Sequence, residues 1–337
     1  MVMIYYHLMR SKKIIILLFF ICLIAVIVGT YFYYIRSFTS TPRVIHPPII
    51  SPPVSSLRLI KHVFVIIEEN HDWNTIYKSG DAQYINSLST QGTFAQNFHN
   101  VSQDYLHPSE PNYIFLEAGT STFLDANFTT DNPPSNDNAT NSSNHLVGLL
   151  QKNGLLWKSY QEDITGLDCP INPIKNYVPK HNPFIFFTDV VGNPPSSTNT
   201  YCIQHIRPIT ELQTDITQHT IANYTFITPN LQHDMHDGSV SQADTWLSQV
   251  VPIITQSDEF KKDGVLFITW DEGNEKAGEN NPIGLIAISP FIKTHYSNTL
   301  PYSHASILKT IEEIFHLSPL LGKAADSTTL DLADFFK

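Results

Sequence analysis

Val265-Leu266-Phe267-Ile268-Thr269-Trp270-Asp271-Glu272-Gly273 is the stretch that decides the fold. Its first six residues form a continuous apolar run of the kind found in strands buried on both faces. Two adjacent carboxylates and a glycine follow where that strand must end. In open α/β sheets, ligands bind just beyond the carboxyl ends of the strands. An apolar run that stops on Asp271-Glu272 is therefore a strand that can deliver charge into a site. Taken alone, the stretch reads more readily as a strand leaving the core into a solvated acidic turn, so the neighbouring strands must decide.

Two of them end in the same manner. Lys61-His62-Val63-Phe64-Val65-Ile66-Ile67 is a first buried strand, and it runs into Glu68-Glu69-Asn70-His71-Asp72. Tyr224-Thr225-Phe226-Ile227-Thr228 is another, and it leads through Pro229-Asn230 into a polar cluster holding His233, Asp234, His236 and Asp237. Gly284 to Ser289 forms a last buried strand. Helical patterns separate these runs, at 79–91, 144–153, 242–257 and 303–317, with a further one contained within 206–221. A further helix opens at Pro108-Ser109 and runs on through Ile114 to Ala118, with Ser and Pro suited to its first turn. Strands alternating with helices predict a mostly parallel central sheet flanked by helices. In such a sheet the acidic strand ends share one edge.

The 337 residues suffice for one large α/β domain or two small ones, and a net charge of −11 argues against a nucleic-acid partner. Residues 14–35 make an apolar run of about the 20 residues that cross a bilayer. Arg10, Lys12 and Lys13 precede it, which orients the N-terminus to the cytoplasm. The expected organisation is a cytoplasmic segment 1–13, a transmembrane signal anchor 14–35, a Pro/Ser-rich spacer 36–56 and an extracytoplasmic catalytic domain 57–337, with a cleaved, secreted form as the rival. Of three cysteines, Cys169 and Cys202 lie in the extracytoplasmic part, where either a bridge or two buried thiols fits. Residues 120–144 are a long polar loop with three glycosylation sequons, at Asn127, Asn138 and Asn141. Residues 163–201 form a Pro- and Asn-rich insertion expected to cover the site.

Convergence of several acidic strand ends on one sheet edge separates a site from a chance acidic turn. Carboxylate and amide oxygens without paired cysteines suit a hard divalent cation, and nearby histidines widen the choice of ion. A metal held by Glu69, Asn70, Asp271 and Glu272 would lie against the hydroxyl of Ser109, lowering its pKa for nucleophilic attack. His236 and its neighbours would then donate to phosphate oxygens or protonate a leaving group.

The chain resembles the phosphoesterase family that includes bacterial phospholipases C and related acid phosphatases, within the wider alkaline phosphatase-like superfamily. The resemblance is carried by Ile66-Ile67-Glu68-Glu69-Asn70, His107-Pro108-Ser109-Glu110-Pro111-Asn112-Tyr113, Phe226-Ile227-Thr228-Pro229-Asn230, Asp234-Met235-His236-Asp237, Asp244-Thr245-Trp246-Leu247, Thr269-Trp270-Asp271-Glu272 and Ser289-Pro290, in the family's order. It implies an alkaline phosphatase-like fold, Glu69-Asn70 and Asp271-Glu272 as two halves of a metal site, and Ser109 as nucleophile. His236 and His107 join Ser109 as catalytic candidates, and His233, Asp237 and His304 stand near the motifs as substrate-binding candidates. Asn70-His71-Asp72 replaces the Arg-Ser-Phe-Asp sequence of many phospholipases, which favours a small phosphate ester over a phospholipid. An apolar groove for acyl chains would need residues such as Phe184, Ile185, Phe186 and Phe187, which serve equally as core. A non-catalytic, surface-displayed binding module is the remaining alternative.

Overall fold

The computed structural model describes residues 27–31, 56–101, 106–274 and 281–337. The chain divides into two compact units, Met1–Pro53 and Val54–Lys337. The described part of the first is a single helical turn at 27–31. No helix among the described residues is long and apolar enough to cross a membrane. Most of the proposed anchor at 14–35 and of the spacer at 36–56 lies outside them.

The second unit is built on a nine-stranded mixed sheet. Its strands are β1 (His62–Glu68), β2 (Thr93–His99), β3 (Trp157–Gln161), β4 (Ile206–Pro208), β5 (Tyr224–Thr228), β6 (Gly264–Trp270), β7 (Ile283–Ile288), β8 (Tyr296–Asn298) and β9 (Tyr302–Ser303). The order across the sheet is β4-β3-β5-β1-β6-β7-β2-β8, with β9 also paired to β2. β4, β3, β5, β1 and β6 run parallel. β1, β5 and β6 are apolar on both faces because helices cover both sides, and every residue of β5 and β6 is buried.

The central order places β1 between β5 and β6, so the three polar strand ends are immediate neighbours. Glu68 is level with Trp270 in the β1–β6 register, which sets Glu69 beside Asp271 at the next rung. The Asp271 N–H donates to Glu68 O at 2.9 Å, and the Glu69 N–H to Asp234 O at 2.7 Å, locking the three ends together.

Two expectations change. The last buried strand, β7, runs antiparallel to β6 and β2. Its amino end therefore lies on the edge where β6 has its carboxyl end, a direction that an apolar run does not encode. Gly284 is the residue that lets β7 approach: a Cβ there would collide with the Trp270 indole. The stretch 206–221 does contain its expected helix, Leu212–Thr217, but opens as an edge strand, β4, that was not expected. Pro208 lacks the N–H that a helix interior requires but is tolerated at a sheet edge.

The helix Ser109–Ala118 is buried along its whole length and stops at Gly119, whose φ of 67° is the left-handed conformation of a helix terminus. Phe184, Ile185, Phe186 and Phe187 are fully buried, so these residues are core and not the wall of an open groove. The three phenylalanines pack on Trp157, Phe226, Phe128, Phe123 and His145. Cys169 and Cys202 form a disulfide with Cα atoms 5.5 Å apart, closing the insertion on itself.

Candidate active site

Glu69 is the centre of the site. Its side chain is buried, with Oε2 accepting from Ser109 Oγ at 3.0 Å and Oε1 from the Tyr113 hydroxyl at 2.6 Å. Ser109 and Tyr113 are one helical turn apart, so one helix brings both donors to one carboxylate. Asn70 follows in the left-handed region with φ 47°, a conformation uncommon outside glycine and concentrated at functional sites. That turn points its N–H at Asp271 Oδ1, at 3.1 Å. Its side-chain amide reaches to 3.2 Å from both Glu69 Oε2 and Glu272 Oε1. With nitrogen turned inward the amide cross-links two carboxylates; with oxygen turned inward it adds a third oxygen to a cation site.

Asp271 Oδ1 accepts from the backbone N–H groups of Asn70 and Glu272, while Oδ2 is buried without a hydrogen-bond partner. Asp234 repeats this arrangement: Oδ1 accepts from the His236 N–H at 2.8 Å, and Oδ2 is buried without a hydrogen-bond partner. His181 lies between, with Nε2 3.2 Å from Glu69 Oε1 and Nδ1 3.2 Å from Asp234 Oδ2. Its ring stacks on Tyr113. Ligand atoms of Glu69, His181 and His236 all fall within 4.8 Å of one another.

The electrostatics follow from crowding acids in a dry site. Burial, reinforced by Asp271 and Asp234 and opposed by Tyr113 and Lys180, holds the Glu69 pKa well above the usual range. Burial raises Asp271 to about 7, against the relief from backbone N–H groups and the Ser109 hydroxyl. Burial does the same for Asp234, again to about 7. His181 faces two carboxylates, which favour imidazolium, yet burial and the charges of Lys180 and His236 push its pKa well below the usual value. We take the neutral ring as the relevant form because the carboxylates beside it are themselves held toward their neutral state. This donor set fits a divalent cation, which would relieve the crowding. Oxygens without hydrogen-bond partners, carboxylates forced together and an imidazole lone pair are the donors such an ion takes.

The remaining sequence candidates sort into distinct places. Glu272 accepts from His107 Nδ1 at 2.9 Å and from Asn112 Nδ2 at 3.2 Å, so His107 orients a member of the cage. His236 sits at the cluster, its Nδ1 held by Asp237 Oδ1 at 2.8 Å. His233 turns to Glu162, 2.9 Å away, and stacks on Trp246. His304 is buried behind β6, where Nε2–H donates to Trp270 O at 2.8 Å; burial lowers its pKa to about 4, so it supports the strand end as a neutral ring.

His181, Lys180, Tyr113, Asn112 and the full role of Asp234 escaped the sequence reading. A clue was available in Pro179-Lys180-His181-Asn182-Pro183, a basic pair bracketed by prolines just ahead of a buried aromatic run. Asp234 and Asn112 stand inside motifs already singled out.

A "Probable acid phosphatase" of Kluyveromyces lactis is 29% identical over 282 residues, covering 81% of this chain and 62% of its own length. This chain thus spans less than two thirds of that relative. A "Phosphatidylinositol-3-phosphatase" of Mycobacterium tuberculosis is 28% identical, covering 83% of this chain and 85% of its own. Among solved structures, an alkaline phosphatase superfamily protein from Vibrio parahaemolyticus aligns with a TM-score of 0.52 at 8% identity, over 80% of this chain and 71% of its own. The phosphonate monoester hydrolase of Silicibacter pomeroyi aligns with a TM-score of 0.52 at 10% identity, over 82% and 76%. Those two likenesses establish the alkaline phosphatase-like fold. Residues 75–318, more than half of the sequence, match the Phosphoesterase family, and the chain belongs to it.

Proposed function

We propose that this chain is a metal-dependent hydrolase of phosphate monoesters that uses Ser109 as its nucleophile. One observation carries the reading: the Ser109 hydroxyl, at a helix N-terminus, already points at the buried Glu69 carboxylate, beside Asp271 and Asp234 whose Oδ2 atoms are buried without hydrogen-bond partners. Glu69, Asn70, Asp271 and Asp234, with His181, are the residues that would hold a divalent cation, and Glu272 closes the set. When bound, the ion supplies positive charge that favours the alkoxide and screens phosphoryl oxygens.

The chain's own groups then divide the work. Ser109 Oγ attacks phosphorus, and its proton has a ready acceptor in Glu69 Oε2. The bond to the leaving alcohol breaks in line, and a phosphoserine forms at Ser109. His236 has Nδ1 fixed by Asp237 and Nε2 facing the Lys180 ammonium; once the ammonium turns to the phosphoryl group, Nε2 takes up a proton and gives it to the leaving oxygen. Water then attacks the phosphoserine and restores the hydroxyl. Tyr113 fixes the Glu69 carboxylate, and His107 with Asn112 fixes Glu272.

The two curated relatives are named as phosphatases, and those names favour a phosphate monoester as the substrate class. The phospholipase alternative loses its proposed groove, since Phe184 to Phe187 are core. We place the catalytic unit outside the cytoplasm on an N-terminal anchor, in keeping with the apolar run at 14–35 and the disulfide; protease protection of intact cells tests that placement. Turnover of p-nitrophenyl phosphate by the full chain, before and after chelation and metal restoration, tests the activity. No turnover with metal restored would return the reading to a non-catalytic binding module.

A further inference from the structure

Lys180 carries the ammonium that the electrostatics place among the carboxylates of this site. Its charge opposes the pKa rise of Glu69, Asp234 and Asp271 alike. The residue is largely buried, with 17% of its side chain exposed. It arrives from the insertion between β3 and β4, one residue before His181. Its Nζ donates to Asp131 Oδ2 at 2.9 Å and to His236 Nε2 at 3.1 Å. An ammonium has three N–H donors, so two such bonds leave one for a ligand.

Asp131 holds this arrangement together. Its Oδ1 accepts from the Glu110 N–H at 3.0 Å, in the first turn of the helix that begins with Ser109. One carboxylate therefore ties the nucleophile's helix to Lys180, and Lys180 ties on to His236. The loop that carries Asp131 is anchored by Asn138, whose Nδ2 donates to Glu110 Oε1 at 3.1 Å and to Asn132 O at 2.8 Å. What the sequence presents as a plain polar loop is thus fastened to the first turn of the catalytic helix.

We propose that Lys180 is the protein's own phosphoryl-binding cation, that Asp131 positions it, and that together they select phosphomonoesters over diesters. This rests on Ser109 being the point of attack. A phosphoryl group placed on Ser109 Oγ, against the Glu69–His181–His236 cluster, comes within reach of Nζ, because Nζ already contacts His236 Nε2. A monoester dianion carries one more charged oxygen than a diester. A fixed ammonium that binds that oxygen favours the monoester, whereas a diester has its corresponding oxygen esterified and gains less. Asp131 keeps the ammonium from collapsing onto Glu69 or Asp271, where it would compete for the cage.

The test uses the full chain as wild type, Lys180→Met, Lys180→Arg, Asp131→Asn and Asp131→Glu. Hydrolysis of p-nitrophenyl phosphate and of bis(p-nitrophenyl) phosphate is followed, and binding of inorganic phosphate is measured by calorimetry. Lys180→Met is expected to weaken phosphate binding and monoester kcat/KM by about 10- to 100-fold, the worth of one charge-assisted hydrogen bond. Diester kcat/KM should fall several-fold less. Lys180→Arg should recover much of the phosphate affinity. Asp131→Asn should raise KM for the monoester with a smaller change in kcat, and Asp131→Glu should restore part of it. Equal losses on monoester and diester in Lys180→Met, or wild-type phosphate affinity in that variant, would overturn the proposal. Should Lys180→Met fail to fold, Asp131→Asn still decides: an unchanged monoester KM and an unchanged monoester-to-diester ratio in that variant refute it. Absence of any wild-type turnover would sink the hydrolase reading instead, and the calorimetry would continue to judge Lys180, with no phosphate binding by wild type counting against it.

Discussion

Replacing Asp271 with asparagine should make the metal-free protein more stable while removing its response to metal. Asp271 Oδ1 accepts from the backbone N–H groups of Asn70 and Glu272, and an asparagine oxygen can keep both bonds. Only Oδ2 changes, from a buried oxygen without a hydrogen-bond partner to an amide nitrogen facing carboxylates. The magnitude follows from the raised pKa. A carboxylate with a folded pKa above its unfolded one binds more protons folded than unfolded between the two, so its stability contribution is intact below the lower value and is lost as pH rises toward the higher. For Asp271 that window runs from 3.8 to about 7. At about 1.4 kcal/mol per tenfold change in proton affinity, the full cost at neutral pH is about 4 kcal/mol. Because Glu69 and Asp234 share the crowding, single-site relief should amount to about 2–4 kcal/mol. The assay is urea denaturation of wild type and Asp271→Asn in chelator at pH 4 and pH 7.5. The variants should match at pH 4, and Asp271→Asn should be the more stable at pH 7.5. Divalent ions should stabilise wild type but not the variant, whose turnover should drop by about 100-fold or more. Lower stability of Asp271→Asn at pH 7.5 in chelator, or stabilisation of Asp271→Asn by metal to the same degree as wild type, would refute the reasoning.

Further outcomes concern the supports of the site. Tyr113→Phe removes the hydroxyl 2.6 Å from Glu69 Oε1 and should weaken divalent-ion binding by about tenfold or more, read by calorimetric titration. Replacing both Cys169 and Cys202 by alanine opens a loop with a sequence separation of 33 and should cost about 3–4 kcal/mol in denaturant stability. Gly284→Ala drives a methyl into the Trp270 indole beside the Asp271 strand end and should lower stability by about 1–3 kcal/mol, with a matching change in the denaturation midpoint. Ser109→Ala should abolish turnover while metal content, measured by elemental analysis, stays at the wild-type level.

The sequence disclosed the parts of this molecule whose environment is uniform along the chain. β1, β5 and β6 are buried on both faces, so their apolar runs and polar terminations stand out without any knowledge of partners. Strand direction is another matter: β7 is as apolar as its neighbours, and only the short return from β6 makes it antiparallel. β4 is too short, at Ile206–Pro208, to leave a periodic signal. The residues of the proposed metal cage were legible where they follow strands, at Glu69-Asn70 and Asp271-Glu272. Lys180 and His181 come from an irregular insertion, and Asp131 from a polar loop, where nothing in local composition distinguishes a buried contact from a solvated one. His304 shows the opposite limit. It sits at a helix start near the site, but its ring faces the back of β6 and bonds a backbone carbonyl, a placement set by tertiary packing alone.

The central claim is that Ser109 carries the phosphoryl group. Wild-type protein with metal restored, turning over p-nitrophenyl phosphate and quenched in acid, should yield a phosphorylated peptide on mass spectrometry with the phosphate on Ser109, absent in Ser109→Ala. Steady turnover with phosphate trapped on another residue, or undiminished turnover by Ser109→Ala, would contradict the account.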